Sequence, residues 1–149
     1  MRILSLAGAL LLVSVPAFAH VGITPRESRL GATETYTLRV PSEGGMTTVS
    51  VVLDVPDGVT VMSVTAPEGA KHEEKKTGDR IVQVTWTIEI KAGASAQLSF
   101  VAKNPAQGES IAWKVHQKYS DGMTSDWVGA PGTRAPAPVT KLLPATAKP

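Results

Sequence analysis

Polar and apolar side chains alternate along most of the chain beyond residue 33. Glu34-Thr35-Tyr36-Thr37-Leu38-Arg39-Val40 is one such run. A period of two sends one face toward a core and the other toward water, the mark of a half-buried strand. Thr47 to Val55 repeats it, with Val49, Val51 and Leu53 predicted on one face. The turn Pro56-Asp57-Gly58 follows, where proline presets φ and glycine accepts a positive value. Val59 to Val64 then resumes the alternation up to a second turn at Ala66-Pro67-Glu68-Gly69. Lys71 to Arg80 is highly charged and reads as a polar strand with a hairpin loop at Thr77-Gly78-Asp79. Ile81, Val82, Val84, Trp86 and Ile88 mark the next strand, which ends at the turn Lys91-Ala92-Gly93-Ala94. Ala96 to Ala102 and Ser110 to Tyr119 are two more, divided by Asn104-Pro105-Ala106-Gln107-Gly108. No segment carries a convincing helical period. About seven short strands at this spacing predict an all-β, antiparallel β-sandwich of immunoglobulin or fibronectin type III type. From Gly129 onward there are five prolines, and Val139 to Leu143 is the one candidate strand. A final edge strand followed by a disordered tail over residues 144–149 is expected.

The N-terminus follows another pattern. Met1-Arg2 is positively charged, Ile3 to Val15 is apolar apart from Ser5, Gly8 and Ser14, and Pro16 precedes Ala17-Phe18-Ala19. A charged start, a short apolar stretch and an A-x-A site together predict a secretory signal over residues 1–19. A membrane anchor would need about 20 apolar residues, more than this run offers. Cleavage would leave His20 as the first residue of a domain spanning residues 20–143, in the periplasm or outside the cell. That removes only Arg2 among the charges, leaving 14 basic against 13 acidic residues in 130. Such balance argues against a nucleic-acid partner, which leaves a basic excess. The chain has no cysteine, so disulfides, thiolate metal sites and thiol nucleophiles are excluded. No second hydrophobic segment follows, and the mature chain is expected to carry no membrane anchor.

Catalytic groupings do not stand out. Three histidines among many serines generate Ser-His-Asp orders by chance. The glycine pairs Gly44-Gly45 and Gly129/Gly132 are turn glycines, not a phosphate cradle. His20 is different because cleavage would change its chemistry. A free α-amine titrates near 8, and here it would share a residue with an imidazole. The amine nitrogen and Nδ1 of one histidine chelate a metal in a closed ring. Nitrogen donors in a tetragonal arrangement suit Cu(II), although nickel and zinc accept the same donors.

His20-Val21-Gly22-Ile23-Thr24-Pro25-Arg26-Glu27-Ser28, then Gly31-Ala32 and Glu34-Thr35-Tyr36-Thr37-Leu38-Arg39-Val40-Pro41-Ser42-Glu43, resembles the opening of the YcnI-like (DUF1775) family. The family pattern is A-H-V-x-V-x-P-x-E-S, then G-x-x-E-x-Y-x-x-x-V-P-x-E. The resemblance continues through Val55-Pro56-Asp57-Gly58-Val59, Val84-Thr85-Trp86 and Phe100-Val101-Ala102-Lys103-Asn104-Pro105. It reaches Trp113, Gln117, Tyr119, Asp121, Gly122 and Trp127. It implies an exported fibronectin-like sandwich that binds copper as Cu(II) through one N-terminal histidine, with a glutamate and a tryptophan at the site. Carried onto this sequence, those positions are His20, the acid of P-x-E-S at Glu27, and Trp127. Glu27 would give a hard oxygen, with a surface carboxylate paired to Arg26 or Arg29 as its plainer role. Trp127 would wall the site, while Trp86 and Trp113 are expected in the core. His116 reads as structural, His72 belongs to the charged edge, and Met123 is a soft donor suited to Cu(I). The chain departs from the family at Pro67-Glu68-Gly69-Ala70, where relatives read P-G-W, and its ending Leu143-Pro144-Ala145-Thr146-Ala147-Lys148-Pro149, where many relatives carry a membrane anchor, leads to the expectation of a soluble form.

The expectation is a periplasmic protein that buffers Cu(II) or passes it to another copper carrier, without catalysis. Two alternatives stand beside it. An immunoglobulin-like module would hold another exported protein by an edge strand and owe nothing to His20. A copper-dependent oxidase would need a second imidazole and a broad aromatic face, and aromatics are only 5% of this chain.

Overall fold

The computed structural model describes residues 19–146. The expected signal segment, save Ala19, and the last three tail residues lie outside the described residues. Twelve strands follow in order: β1 (Gly22–Thr24), β2 (Glu27–Arg29), β3 (Thr33–Pro41), β4 (Thr48–Asp54), β5 (Thr60–Val64), β6 (Lys71–Thr77), β7 (Arg80–Ile90), β8 (Ser95–Lys103), β9 (Ser110–Ala112), β10 (Lys114–Tyr119), β11 (Thr124–Trp127) and β12 (Val139–Leu143). They build a four-stranded sheet β1-β3-β8-β5, a five-stranded sheet β11-β10-β4-β7-β6 and a small sheet β2-β12-β9. Pairing is antiparallel except between β2 and β12. The fold is the all-β sandwich that the alternation predicts.

Its core follows from that alternation. Tyr36, Leu38 and Val40 of β3 and Leu98 and Phe100 of β8 cluster with Val51 and Leu53 of β4, Val84 and Trp86 of β7, and Val115 of β10. None of these is more than 1% exposed. Trp113, fully buried between β9 and β10, brings its ring to 4.7 Å from Tyr36 and 5.3 Å from Phe100. Both tryptophans expected in the core are there. Tyr36 donates to Asn104 Oδ1 at 2.6 Å, and Asn104 Nδ2 donates to Ser28 Oγ and to the Arg29 carbonyl. That buried network ties β2 and β3 to the end of β8.

The short strands β1, β2 and β11 fall where the alternation marks none, and the structure departs from the sequence pattern in three further places. The register of β4 against β7 slips between Thr48 and Ser50, so Thr48 is buried in place of Val49. The run Ser110 to Tyr119 keeps one buried face but is divided at Trp113: β9 pairs with β12, whereas β10 pairs with β4 and β11. β12 is the middle strand of its sheet, not an edge. Strand β6 is one edge of the five-stranded sheet, paired on one side to β7 and exposed at all seven residues. Its lysines and glutamates blunt an edge that would otherwise invite another strand.

Candidate metal centre

β1 runs antiparallel to β3 with Gly22 opposite Arg39. The chain entering β1 therefore passes the chain leaving β3 at Pro41, and Glu43 stands two residues beyond. The backbone nitrogen of Ala19 donates to Glu43 Oε1 at 2.9 Å. From the other sheet, Trp127 at the end of β11 places its indole 5.7 Å from the imidazole of His20, with the two planes 56° apart. His20, Glu43 and Trp127 line one hollow of about 270 Å³ together with Ser125, Asp126, Arg134 and Ala135. Exposed His20 thus has a carboxylate on one side and an indole wall on another.

A chain of buried hydrogen bonds fixes these walls. Trp127 Nε1 donates to Gln117 Oε1 at 3.1 Å, and Gln117 Nε2 donates to Thr48 Oγ1 at 2.6 Å and to the Pro41 carbonyl at 2.8 Å. Thr48 and Ser42 share a 2.8 Å hydroxyl contact, and Ser42 Oγ donates to the Met46 carbonyl at 2.7 Å. Because Ser42 spends its proton on Met46, the Thr48 hydroxyl donates to Ser42, and every donor in the series points the same way. Gln117, Thr48 and Ser42 are 0% exposed. The Ser42 backbone is held as well, bonding to Ala94 and Gly93 on the adjoining turn. Chains of this kind reinforce one another in a low dielectric. The base of Glu43 and the indole of Trp127 are thereby tied to one rigid frame.

Glu27 lies elsewhere. Proline 25 leads the chain out of β1 into β2, where Glu27 is exposed and pairs in register with Lys141 of β12. It does not line the hollow around His20. Of the two carboxylates that line it, Asp126 is bonded to His116, which leaves Glu43, the acid of the V-P-x-E element rather than of P-x-E-S. Met123 is 61% exposed in the turn between β10 and β11 and does not line that hollow either. His72 sits on β6 against Glu74.

His116 occupies a different constellation. On β10 it places Nδ1 2.7 Å from Asp126 of β11 and Nε2 2.7 Å from Asp54 of β4. Partial burial disfavours its charged form, but the hydrogen bonds to Asp126 and Asp54 and their charges outweigh that and raise its pKa. Burial likewise opposes the charge on Asp54. Hydrogen bonds from Gln83 and His116, with the nearby charges of His116 and Lys114, prevail and lower its pKa. These groups cross-brace three strands and turn both imidazole nitrogens to structural use.

Among the described residues, no three His, Asp or Glu side chains come close enough together to hold a metal. The imidazole of His20 and the carboxylate of Glu43 supply two donors, and a metal held here needs a third. Removal of residues 1–19 would supply it as the free amine of His20, and would also strip Glu43 of the donor it now accepts from Ala19. The donor chemistry fits a nitrogen-rich site with one carboxylate oxygen.

Comparison with known proteins bears on the same segment. Residues 20–142 match the family described as "Domain of unknown function (DUF1775)". The chain is 38% identical over 144 residues, 95% of its length and 71% of the other protein, to "Copper-binding protein CutI" of Bacillus subtilis (strain 168). Among solved structures, a protein of Nocardia farcinica with an immunoglobulin-like fold superposes with a TM-score of 0.72 at 23% identity, covering 83% of this chain and 97% of that one. A non-cellulosomal cohesin from Archaeoglobus fulgidus superposes at 0.51 and 9% identity over 85% of this chain and 91% of its own. These two likenesses speak for the fold. With its family match running from His20 through β12, the chain belongs to the DUF1775 family, the YcnI-like proteins.

Proposed function

We propose that this is an exported copper-binding protein whose site is completed when cleavage after Ala19 makes His20 the N-terminus. The amine and imidazole of His20 chelate Cu(II), Glu43 adds an oxygen that offsets the metal charge, and Trp127 shields the site from exchange with solvent. The observation that carries the reading is the contact of Glu43 with the residue just before His20, in the same hollow where Trp127 packs on the imidazole. The name of the Bacillus subtilis relative supports copper as the metal. The protein buffers Cu(II) or passes it to another copper carrier in the periplasm or at the cell surface, and performs no catalysis. A histidine-brace oxidase needs a second imidazole at the metal. Among the described residues, His116 is committed to Asp54 and Asp126, and His72 stands on β6.

The test is a Cu(II) titration followed by electron paramagnetic resonance. Protein exported from the full chain, so that cleavage sets its N-terminus at His20, is compared with protein carrying one extra alanine before His20. A stoichiometric tetragonal signal is expected from the first. The extension converts the amine to an amide and should weaken binding by roughly 100-fold. Identical titrations overturn the reading.

A further inference from the structure

Beside the metal hollow lies a second one that copper ligation does not use. Arg39 of β3 stands directly opposite Gly22 of β1. A side chain begun at Gly22 would meet nothing within contact range, so the space over that strand pair is open. It forms a hollow of about 460 Å³ lined by His20, Gly22, Arg26, Arg39 and the segment Pro136 to Val139. A smaller hollow of about 250 Å³ adjoins it, shares both arginines, and extends to Thr37 and Gln97. No carboxylate lines either one. Among the described residues neither Arg26 nor Arg39 is ion-paired, and neither is Arg134, which borders His20 from the other side.

Three guanidiniums around a cation site are unfavourable for the cation alone, since like charges raise the cost of placing it there. An anion settled on them reverses the sign. The guanidinium is a planar fork that matches a carboxylate with two parallel hydrogen bonds, and Thr37 and Gln97 add neutral donors at the far end. We propose that the Arg26–Arg39 hollow binds a carboxylate-bearing anion, the form in which Cu(II) reaches or leaves His20. That carboxylate comes from a small di- or tricarboxylate, or from the acidic side chains of a partner segment. Anion binding itself rests on the arginines. Its part in copper exchange rests on the function proposed above.

The experiment uses metal-free protein starting at His20, titrated with citrate and separately with a hexaglutamate peptide while backbone amide signals are followed. Saturable shifts confined to Gly22, Ile23, Thr24 and the β3 residues around Arg39 are expected from at least one of the two, and which one responds identifies the source. The double substitution R26Q/R39Q should weaken that binding roughly tenfold or more. The control K103Q/K118Q removes the same charge from exposed strand positions far along the chain and should leave it nearly unchanged. Equal weakening in both double variants, or no saturable shift with either anion, overturns the proposal. Because no copper is present, anion binding without tight Cu(II) binding sinks the copper reading and the exchange role that rests on it but leaves the anion site standing, and the reverse result sinks the anion site alone.

Discussion

Glu43 owes its place to the residue before it. Ser42 is wholly buried and bonded through its nitrogen, carbonyl and hydroxyl, so the chain leaves β3 in one direction and Glu43 falls beside residue 19. Glu27, exposed on a strand of another sheet, has no such relation to His20. The two acids therefore make a matched pair. Glu43→Gln should weaken Cu(II) binding at least tenfold, whereas Glu27→Gln should leave it within about twofold, as judged by competition against a chelator of known strength. The reverse order would return the ligand role to Glu27. Both glutamates stand in the family motif, and nearness in sequence favours Glu27. The register of β1 on β3 favours Glu43, and register depends on pairing that no local spacing records. His20 and Trp127 are each singled out in the sequence by position, one at the expected cleavage site and the other near the close of the family pattern, and the fold brings their rings to 5.7 Å.

The strands β4, β10 and β11 are cross-braced by Asp54, His116 and Asp126 on their outer face. This gives the hairpin that carries Trp127 a pH dependence whose sign follows from the two shifts. His116 has a raised pKa, so its contribution is complete below its unfolded value near 6.5 and is lost as pH rises through the folded one. Asp54 has a lowered pKa, so its contribution is complete above its unfolded value of 3.8 and is lost as pH falls through the folded one. Both act together between about 3.8 and 6.5. These side chains are more than one-third exposed, and screening holds the effect to no more than about 1 kcal/mol. Thermal melts at pH 5.5 and pH 8.5 should show His116→Gln destabilised more at the lower pH. An equal loss at both would assign His116 a packing role only. At this scale the sequence correctly marked His116 as structural, but its partners lie 10 and 62 residues away and only strand pairing brings them to its two nitrogens.

For the whole molecule the decisive side chain is Trp113. Its ring sits against Tyr36 and Phe100, its indole nitrogen donates to Thr140 of β12 at 3.0 Å, and Thr140 in turn donates to the Pro25 carbonyl. One residue thus joins the aromatic core to the small sheet, whose strand β2 follows His20 and β1 in the chain. Trp113→Ala should cost about 3–5 kcal/mol in urea unfolding, a large part of what a domain of this size possesses. Trp113→Phe, which keeps the ring but loses the bond to Thr140, should cost about 1–3 kcal/mol. A loss below 1 kcal/mol for the alanine variant would refute this role. The alternation of polar and apolar residues determined the longer strands, most of their inward faces and the all-β class, because the partition of each side chain between core and water is a local property with a period of two. The separation of β9 from β10, the central place of β12 and the nearness of Glu43 rather than Glu27 to residues 19 and 20 were decided only in the tertiary structure. Each depends on which strand pairs with which, and hydrogen-bonded partners far apart in the chain leave no mark on the local pattern of either.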